Sequence, residues 1–204
     1  GLSVKTAILC RDKPEMKAFL REAGIPCALS DAVKSPEEAA RFIQEVGYPV
    51  ILKPRAAAGA SGTWRADDEA GLARALADLG VDQGNSAAIE EFIEGHEGFH
   101  DTLAVDGEVV HEFISHYYPG VLEAMRDRAI APQIISTNRL SAPGYDAVKS
   151  LGRKVIQSMG IGTAATHMEW FAGPKGLKFS EIGARPPGIA QSCTPGATGA
   201  ASQR

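Results

Sequence analysis

Cysteine is scarce in this sequence, and its few copies lie far apart. The 204 residues include three cysteines, Cys10, Cys27 and Cys193. An odd number of distant cysteines argues against a disulfide framework and against a CxxC metal site. The pattern favours a reducing compartment, and we expect a cytoplasmic protein.

Long apolar runs and an excess of positive charge are also missing. No apolar segment approaches the roughly 20 residues of a membrane-spanning helix, and the first residues lack the charged-then-apolar order of a signal peptide. The formal net charge is -4, and no stripe of lysine and arginine carries interleaved aromatic residues. We therefore expect neither a membrane nor a nucleic-acid partner.

Amphipathic and alternating patterns divide the chain into helices and strands. Hydrophobic residues make up 44% of the sequence, which is ordinary for one large globular domain or two small ones. The helical runs begin behind capping residues or prolines, and the other apolar runs are short. We predict helices over 12–23, 35–46, 67–79 and 145–159, a loop or short helix near 122–129, and strands over 49–54, 64–66, 87–92, 99–105, 108–117 and 133–137, followed by a hairpin over 166–188.

The predicted hairpin carries one carboxylate on each strand. Glu169 and Glu181 lie within apolar runs on either side of a Gly/Pro-marked turn. Residues directly opposite in an antiparallel pair have Cβ atoms about 4.5–5.5 Å apart, so these acids could share a hard divalent cation such as Mg²⁺. In the alternative, one glutamate points to solvent and the other pairs with Arg185 or Lys178.

Two lysines stand at positions where a cation is expected to meet an anion. Lys13 lies at a predicted helix N-terminus, where the helix dipole disfavours a positive charge. Lys53 ends the apolar strand over 49–54. A solvated lysine is the alternative reading for Lys13.

Small residues dominate the segment that follows Lys53. Residues 55–63 contain only small side chains after Arg55, and they include Gly59 and Gly62. Such a backbone can fold over a phosphate and present its N–H groups. The segment matches neither a P-loop nor a dinucleotide fingerprint, and a flexible hairpin turn explains it equally well.

Taken in order, these features resemble the ATP-grasp superfamily, in its carboxylate-amine or amino-acid ligase-like branch. The resemblance covers roughly residues 12–188. It implies an α+β fold in which two α+β subdomains clamp ATP between antiparallel sheets. The family's separate N-terminal substrate domain is not found, so we expect a fragment. The implied organisation is a helical entry over 1–28, a small lid subdomain over 29–93 and a C-terminally truncated large subdomain over 94–204.

The resemblance also implies a nucleotide site. Lys13 and Lys53 would hold ATP phosphates, and residues 56–63 would form a lid over them, although this loop is poorer in glycine than is usual. Glu90 would lie near the adenine amino group, with Glu97 on the ribose. The implied nucleotide-binding residues are Lys13, Lys53, Ala58, Gly59, Ala60, Ser61, Gly62, Glu90, Glu91, Phe92, Ile93, Glu97 and Phe171.

Metal and catalytic roles follow from the same resemblance. Glu169 and Glu181 match the metal-bridging acids, which implies Mg²⁺, with Mn²⁺ as an alternative. Gly183 stands where the family usually has an asparagine, so the second metal site would lack a side-chain ligand. Arg185 would face the transferred phosphoryl group and the carboxylate, and it would act in catalysis with Lys53.

The implied activity is ATP-dependent ligation of a small-molecule carboxylate to an amine through an acyl phosphate. Phosphoryl transfer needs positioning and charge neutralisation rather than a nucleophilic side chain. The histidines are therefore expected to be structural or substrate-facing. Two alternatives stay open: a biotin-carboxylase-like or purine-pathway enzyme, and a nucleotide-binding module without catalysis. The histidines expected to be structural or substrate-facing are His100, His111, His116 and His167.

Overall fold

Capping residues and prolines set the helix boundaries in the computed structural model, which describes residues 2–56, 62–126, 130 and 133–186. Asp12 accepts from the backbone N–H of Glu15 and begins the second helix, with Pro14 in its first turn. Ser35 and Asp68 cap the next two helices in the same way. The helices are α1 Val4–Leu9, α2 Lys13–Glu22, α3 Pro36–Val46, α4 Glu69–Asp78, α5 Val121–Arg126 and α6 Asp146–Ser158, with 3-10 turns at Val81–Gln83 and Pro143–Tyr145.

A four-stranded antiparallel sheet occupies the first half of the chain. Its order is β1-β4-β2-β3. Alternate residues of these strands, such as Val50, Leu52 and Ile89, are buried against α3 and α4 and form one hydrophobic core. The strands are β1 Ser30–Val33, β2 Val50–Pro54, β3 Trp64–Ala66 and β4 Ala87–Glu91.

A five-stranded antiparallel sheet follows, in the order β7-β6-β5-β8-β9. A second hydrophobic core lies between one face of this sheet and the helices α2 and α6, and it contains Met16, Leu20, Val155 and Met168. The opposite face carries Glu97, Glu169 and other polar residues. The strands are β5 His96–Val105, β6 Glu108–Tyr118, β7 Gln133–Ser136, β8 Ala164–Gly173 and β9 Gly176–Gly183.

The two antiparallel sheets with their helices confirm the α+β class. The strands predicted over 99–105 and 108–117 are joined by a turn at Asp106 and Gly107, and both residues have positive φ, at 51° and 84°. The region near 122–129 contains the short helix α5. The subdomain boundaries at 28/29 and 93/94 remain a prediction. Within the described ranges, no helix is long and apolar enough to cross a membrane.

Candidate active site

A cleft of about 810 Å³ lies between the two sheets. The smaller sheet contributes Lys53 and Glu90 to it, and the larger sheet contributes the acids of β5, β8 and β9. Helix α2 adds Lys13 from one end. The residues used below that line the cleft are Lys13, Lys53, Thr63, Arg65, Glu90, Glu91, Phe92, Ile93, Glu97, Glu169, Phe171 and Glu181.

Glu90 is held between two lysines in the floor of this cleft. Its Oε2 lies 2.7 Å from Lys17 Nζ, and its Oε1 lies 3.0 Å from Lys53 Nζ. Burial alone would raise the pKa of Glu90, but the two lysines outweigh burial and lower that pKa to about 2. Glu90 is therefore ionised, and it fixes the ammonium group of Lys53 at the cleft.

Lys17 is a residue of this site that the sequence prediction missed. Its side chain is 1% exposed, and it follows Lys13 by one helical turn on α2. Met16 and Leu20, on either side of it in the sequence, are also buried. A lysine spaced four residues from Lys13 and flanked by buried positions was the available signal, but nothing in the spacing identifies its partner.

Lys13 is a buried member of the site rather than a solvated lysine. The residue is 6% exposed, and its Nζ lies 3.8 Å from Glu181 Oε2. In the described part of the chain, Lys13 is thus the cation paired with Glu181, in place of the alternatives Arg185 and Lys178. The helix N-terminus carries a lysine because a carboxylate from β9 lies beside it.

Glu169 and Glu181 are directly opposite each other in the β8–β9 ladder, as the hairpin predicted. Burial, and then the negative charge of Glu169, raise the pKa of Glu181, while Lys53 and Lys13 act against that shift. No described cluster of three or more His, Cys, Asp or Glu residues could hold a metal ion. A cross-strand pair of carboxylates fits Mg²⁺, which takes one or two protein carboxylates and completes its shell with phosphate oxygens and water.

Glu97 and Phe171 are cross-strand neighbours on the same face of the larger sheet. Glu97 is 8% exposed, and its Oε2 accepts a hydrogen bond of 2.7 Å from the backbone N–H of Val121. Burial, followed by the charge of Glu169, raises the pKa of Glu97 to about 7. An apolar ring beside a carboxyl group suits a nucleoside, with its base on the ring and its ribose on the acid.

Three of the residues implied to bind nucleotide, Glu91, Phe92 and Ile93, all line the cleft. The backbone N–H of Glu91 donates to Leu29 O at 2.9 Å, and that of Phe92 donates to Pro49 O at 3.4 Å. These bonds anchor the segment between the two sheets.

Arg65 at the cleft wall was not predicted. Its guanidinium lies 4.3 Å from the centroid of the Phe92 ring, and its Nε lies 2.7 Å from Asp67 Oδ1. Thr63 precedes it along the same wall.

The structure does not bring every predicted residue to the cleft. Arg185 is exposed, its Nη1 donates to Pro186 O at 3.2 Å, and it is not one of the described residues that line the cleft. Gly62 is exposed, with φ of 73°. The remaining lid residues named above, Ala58, Gly59, Ala60 and Ser61, lie outside the described residues.

One histidine adjoins the acidic pair. His167 Nδ1 lies 2.6 Å from Asp101 Oδ1, and its Nε2 lies 3.6 Å from Glu169 Oε1. Burial opposes a charge on His167, but the hydrogen bond to Asp101 and the nearby Glu169 outweigh it and raise the pKa of His167 to about 9. His100 instead pairs with Glu112, with 2.9 Å between Nε2 and Oε2.

Sequence comparison relates this chain to known proteins. Residues 12–100 match the family model of the carbamoyl-phosphate synthase L chain, ATP binding domain. The L-arginine-specific L-amino acid ligase of Bacillus subtilis is 31% identical over 191 residues, which are 91% of this chain and 45% of that protein.

Solved structures share the same fold. The L-amino acid ligase from Bacillus licheniformis superposes with a TM-score of 0.71 at 21% identity, over 91% of this chain and 43% of that one. The biotin carboxylase domain of 2-oxoglutarate carboxylase from Hydrogenobacter thermophilus, solved with MgADP and bicarbonate, gives 0.64 at 26% identity, over 88% and 41%.

The chain therefore spans less than half the length of each of these three proteins. The match to the ATP-binding family model, the similarity to the amino-acid ligase and the cleft between two antiparallel sheets lead to one assignment. This chain belongs to the ATP-grasp superfamily.

Proposed function

We propose that this protein is an ATP- and Mg²⁺-dependent ligase that activates a carboxylate as an acyl phosphate for attack by an amine. One observation carries the proposal: Lys13, Lys53, Glu169 and Glu181 come from four different elements and line one cleft. Cations for phosphate and a pair of acids for a metal are what phosphoryl transfer from ATP requires. The γ-phosphoryl group would pass from ATP to the carboxylate with release of ADP, and the amine would then attack the acyl phosphate, forming the C–N bond and expelling inorganic phosphate.

Each of these residues has a distinct task in the proposal. Lys53, fixed by Glu90 at 3.0 Å, and Lys13 would neutralise the phosphate oxygens of ATP. Glu169 and Glu181 would hold Mg²⁺, with Mn²⁺ as a possible substitute. When bound, the ion supplies charge neutralisation at the phosphates. Because Gly183 offers no side-chain ligand, a second ion would depend on water and substrate oxygens.

The nucleoside end of ATP would lie against the part of the cleft lined by Glu97, Phe171 and residues 91–93. Phe171 would pack on adenine, with Glu97 accepting from a ribose hydroxyl. The segment Glu91–Ile93 would meet the adenine edge, and Glu90 would lie near its amino group. The role of residues 56–63 as a lid, which would exclude water from a hydrolysable acyl phosphate, stays a prediction, as does the catalytic role of Arg185.

The amino-acid ligase branch is favoured over the carboxylases and the purine-pathway enzymes. The Bacillus subtilis relative, named for L-arginine and amino-acid ligation, is similar along 91% of this chain. We infer a small-molecule carboxylate and a small-molecule amine as substrates, with an amino acid as one of them. The alternative is a nucleotide-binding module without catalysis, and the following experiment distinguishes it from a ligase.

The proposal is tested by phosphate release from Mg-ATP by the purified protein, offered pairs of amino acids. We expect release only when both an acid and an amine are present, and a large loss of release in Glu181→Gln. Bicarbonate-dependent release would favour the carboxylase alternative. ATP binding without turnover under every substrate mixture would favour the non-catalytic module.

A further inference from the structure

Three charged residues lie in a row on the cleft-facing side of the larger sheet. Asp101 on β5 is the register partner of His167 on β8. Glu169 follows His167 by two residues on the same strand, so both side chains project from the same face. The row runs from the interior of the sheet toward the cleft, where Glu169 is part of the lining.

The interior end of the row is rigidly held. Asp101 is 2% exposed and His167 is 7% exposed, and their hydrogen bond joins Nδ1 to Oδ1 at 2.6 Å. The ring of Phe99 packs against the imidazole, with 4.8 Å between the two centroids. A short hydrogen bond at one nitrogen and an aromatic ring against the imidazole restrict the orientation of His167.

That orientation aims the second nitrogen of His167 at Glu169. Nε2 lies 3.6 Å from Glu169 Oε1, slightly beyond hydrogen-bond length and within reach after a small rotation of the glutamate. The other acid of the pair, Glu181 on the neighbouring strand, has Lys13 Nζ 3.8 Å from its Oε2. Of the two facing acids, Glu169 thus has its own fixed nitrogen partner.

We propose that His167, oriented by Asp101, is a positioning residue for Glu169: it holds one carboxylate oxygen so that the other is directed at the metal. The inference rests on the proposed function, which places Mg²⁺ at Glu169 and Glu181. Two facing carboxylates repel each other and turn apart unless something restrains them. A nitrogen held 3.6 Å from Oε1 of Glu169 supplies that restraint once the glutamate rotates into hydrogen-bond range, as hydrogen-bonded partners of metal ligands do in other sites.

Replacing His167 or Asp101 should weaken metal binding and leave the binding of metal-free ATP nearly unchanged. The affinity of ATP is measured by calorimetry with EDTA and again with saturating Mg²⁺, and Mn²⁺ binding to the ATP complex is measured by electron paramagnetic resonance. In His167→Ala we expect Mn²⁺ affinity to fall by roughly 10- to 100-fold, while the affinity for metal-free ATP changes by less than about twofold. Asp101→Asn should shift Mn²⁺ affinity in the same direction by a smaller factor.

His167→Gln is the conservative variant, because its amide can still donate toward Glu169, and it should recover part of the lost affinity. His111→Ala removes a histidine from β6 of the same sheet and should leave both affinities unchanged. If His167→Ala does not fold, Asp101→Asn and His167→Gln decide the question by the same readouts.

The outcomes separate this inference from the proposed function. If wild-type ATP affinity is the same with and without Mg²⁺, the proposed function fails and this inference fails with it. If the wild type depends on Mg²⁺ and both His167→Ala and Asp101→Asn keep the wild-type Mn²⁺ affinity, only the positioning role is overturned. Equal losses of metal-free and metal-loaded affinity would likewise overturn it, since they would indicate a general structural role.

Discussion

Lys17 and Glu90 form a buried ion pair, with 2.7 Å between Nζ and Oε2, that joins the two halves of the cleft. Lys17 belongs to α2, which packs in the core of the larger sheet, whereas Glu90 lies on β4 of the smaller sheet. Because Glu90 also holds Lys53, one carboxylate links the helix, the strand and the lysine that faces the cleft. We infer that this pair fixes the floor of the proposed nucleotide site.

Lys17→Met is expected to destabilise the protein. Removing one partner of a buried ion pair leaves the other charge poorly compensated, which costs about 3 kcal/mol of unfolding free energy. Urea denaturation measures the loss. Lys154→Met, at an exposed position of α6, is the matched control and should cost less than about 0.5 kcal/mol. A Lys17→Met variant as stable as this control would show that the pair contributes nothing.

The contribution of Glu90 to the stability of the folded protein should be lost at acidic pH. Its pKa in the folded protein, about 2, lies below the reference of 4.5, so its stabilisation is complete above pH 4.5 and is lost as pH falls toward 2. The shift corresponds to about 3 kcal/mol. At pH 6 the free energy of unfolding of wild type should exceed that of Glu90→Gln by about that amount. This difference in stability should narrow steadily from pH 4.5 to pH 3. A gap independent of pH would contradict the assignment.

Glu97 should affect the pH dependence of stability in the opposite direction. Its pKa is raised from 4.5 to about 7 in the folded state, so the folded protein retains a proton that the unfolded chain releases, and stability falls as pH rises from 4.5 to 7. Glu97→Gln keeps an acceptor for Val121 and removes the charge. We expect it to be more stable than wild type by about 1–3 kcal/mol at pH 8, equal to it at pH 4, and weaker in ATP binding. Equal stability at pH 8 would disprove the shift.

Gly98 on β5 has no room for a side chain. A Cβ there would lie 2.6 Å from Ser115 O and 2.8 Å from Trp170 Cε2, so Gly98→Ala should lower the melting temperature and cost about 1–3 kcal/mol. Gly144→Ala, whose Cβ would meet no described atom within 4 Å, should cost well under 1 kcal/mol. Similar losses at both positions would count against the close packing of β5.

Local patterns were enough to predict much of this molecule. Caps and prolines located α2 and α3 within a residue or two, because these signals act over one helical turn. The facing of Glu169 and Glu181 followed from a short hairpin, where the turn sets the register. The order of the motifs was enough for the superfamily.

The long-range pairs were beyond local patterns. In the sequence, Lys17 looks like any other helical lysine, and its contact with Glu90 depends on the position of β4 in the folded protein. Asp101 contacts His167 only because β5 and β8 are neighbours in the sheet. Periodicity shows which face of an element is buried, but it does not show which charged group of a distant element lies opposite. The exposed side chain of Arg185 is a further example, since this residue lies two positions beyond the end of β9, where strand alternation no longer sets the direction of a side chain.

The most direct test of the whole account is calorimetric titration of ATP, with and without Mg²⁺, into wild type, Glu181→Gln and the exposed control Glu108→Gln. We expect Mg²⁺ to tighten ATP binding in wild type and in the control, and we expect Glu181→Gln to lose this gain by tenfold or more while binding metal-free ATP at least as well. Glu181→Gln with wild-type affinity for Mg-ATP would contradict the proposed site.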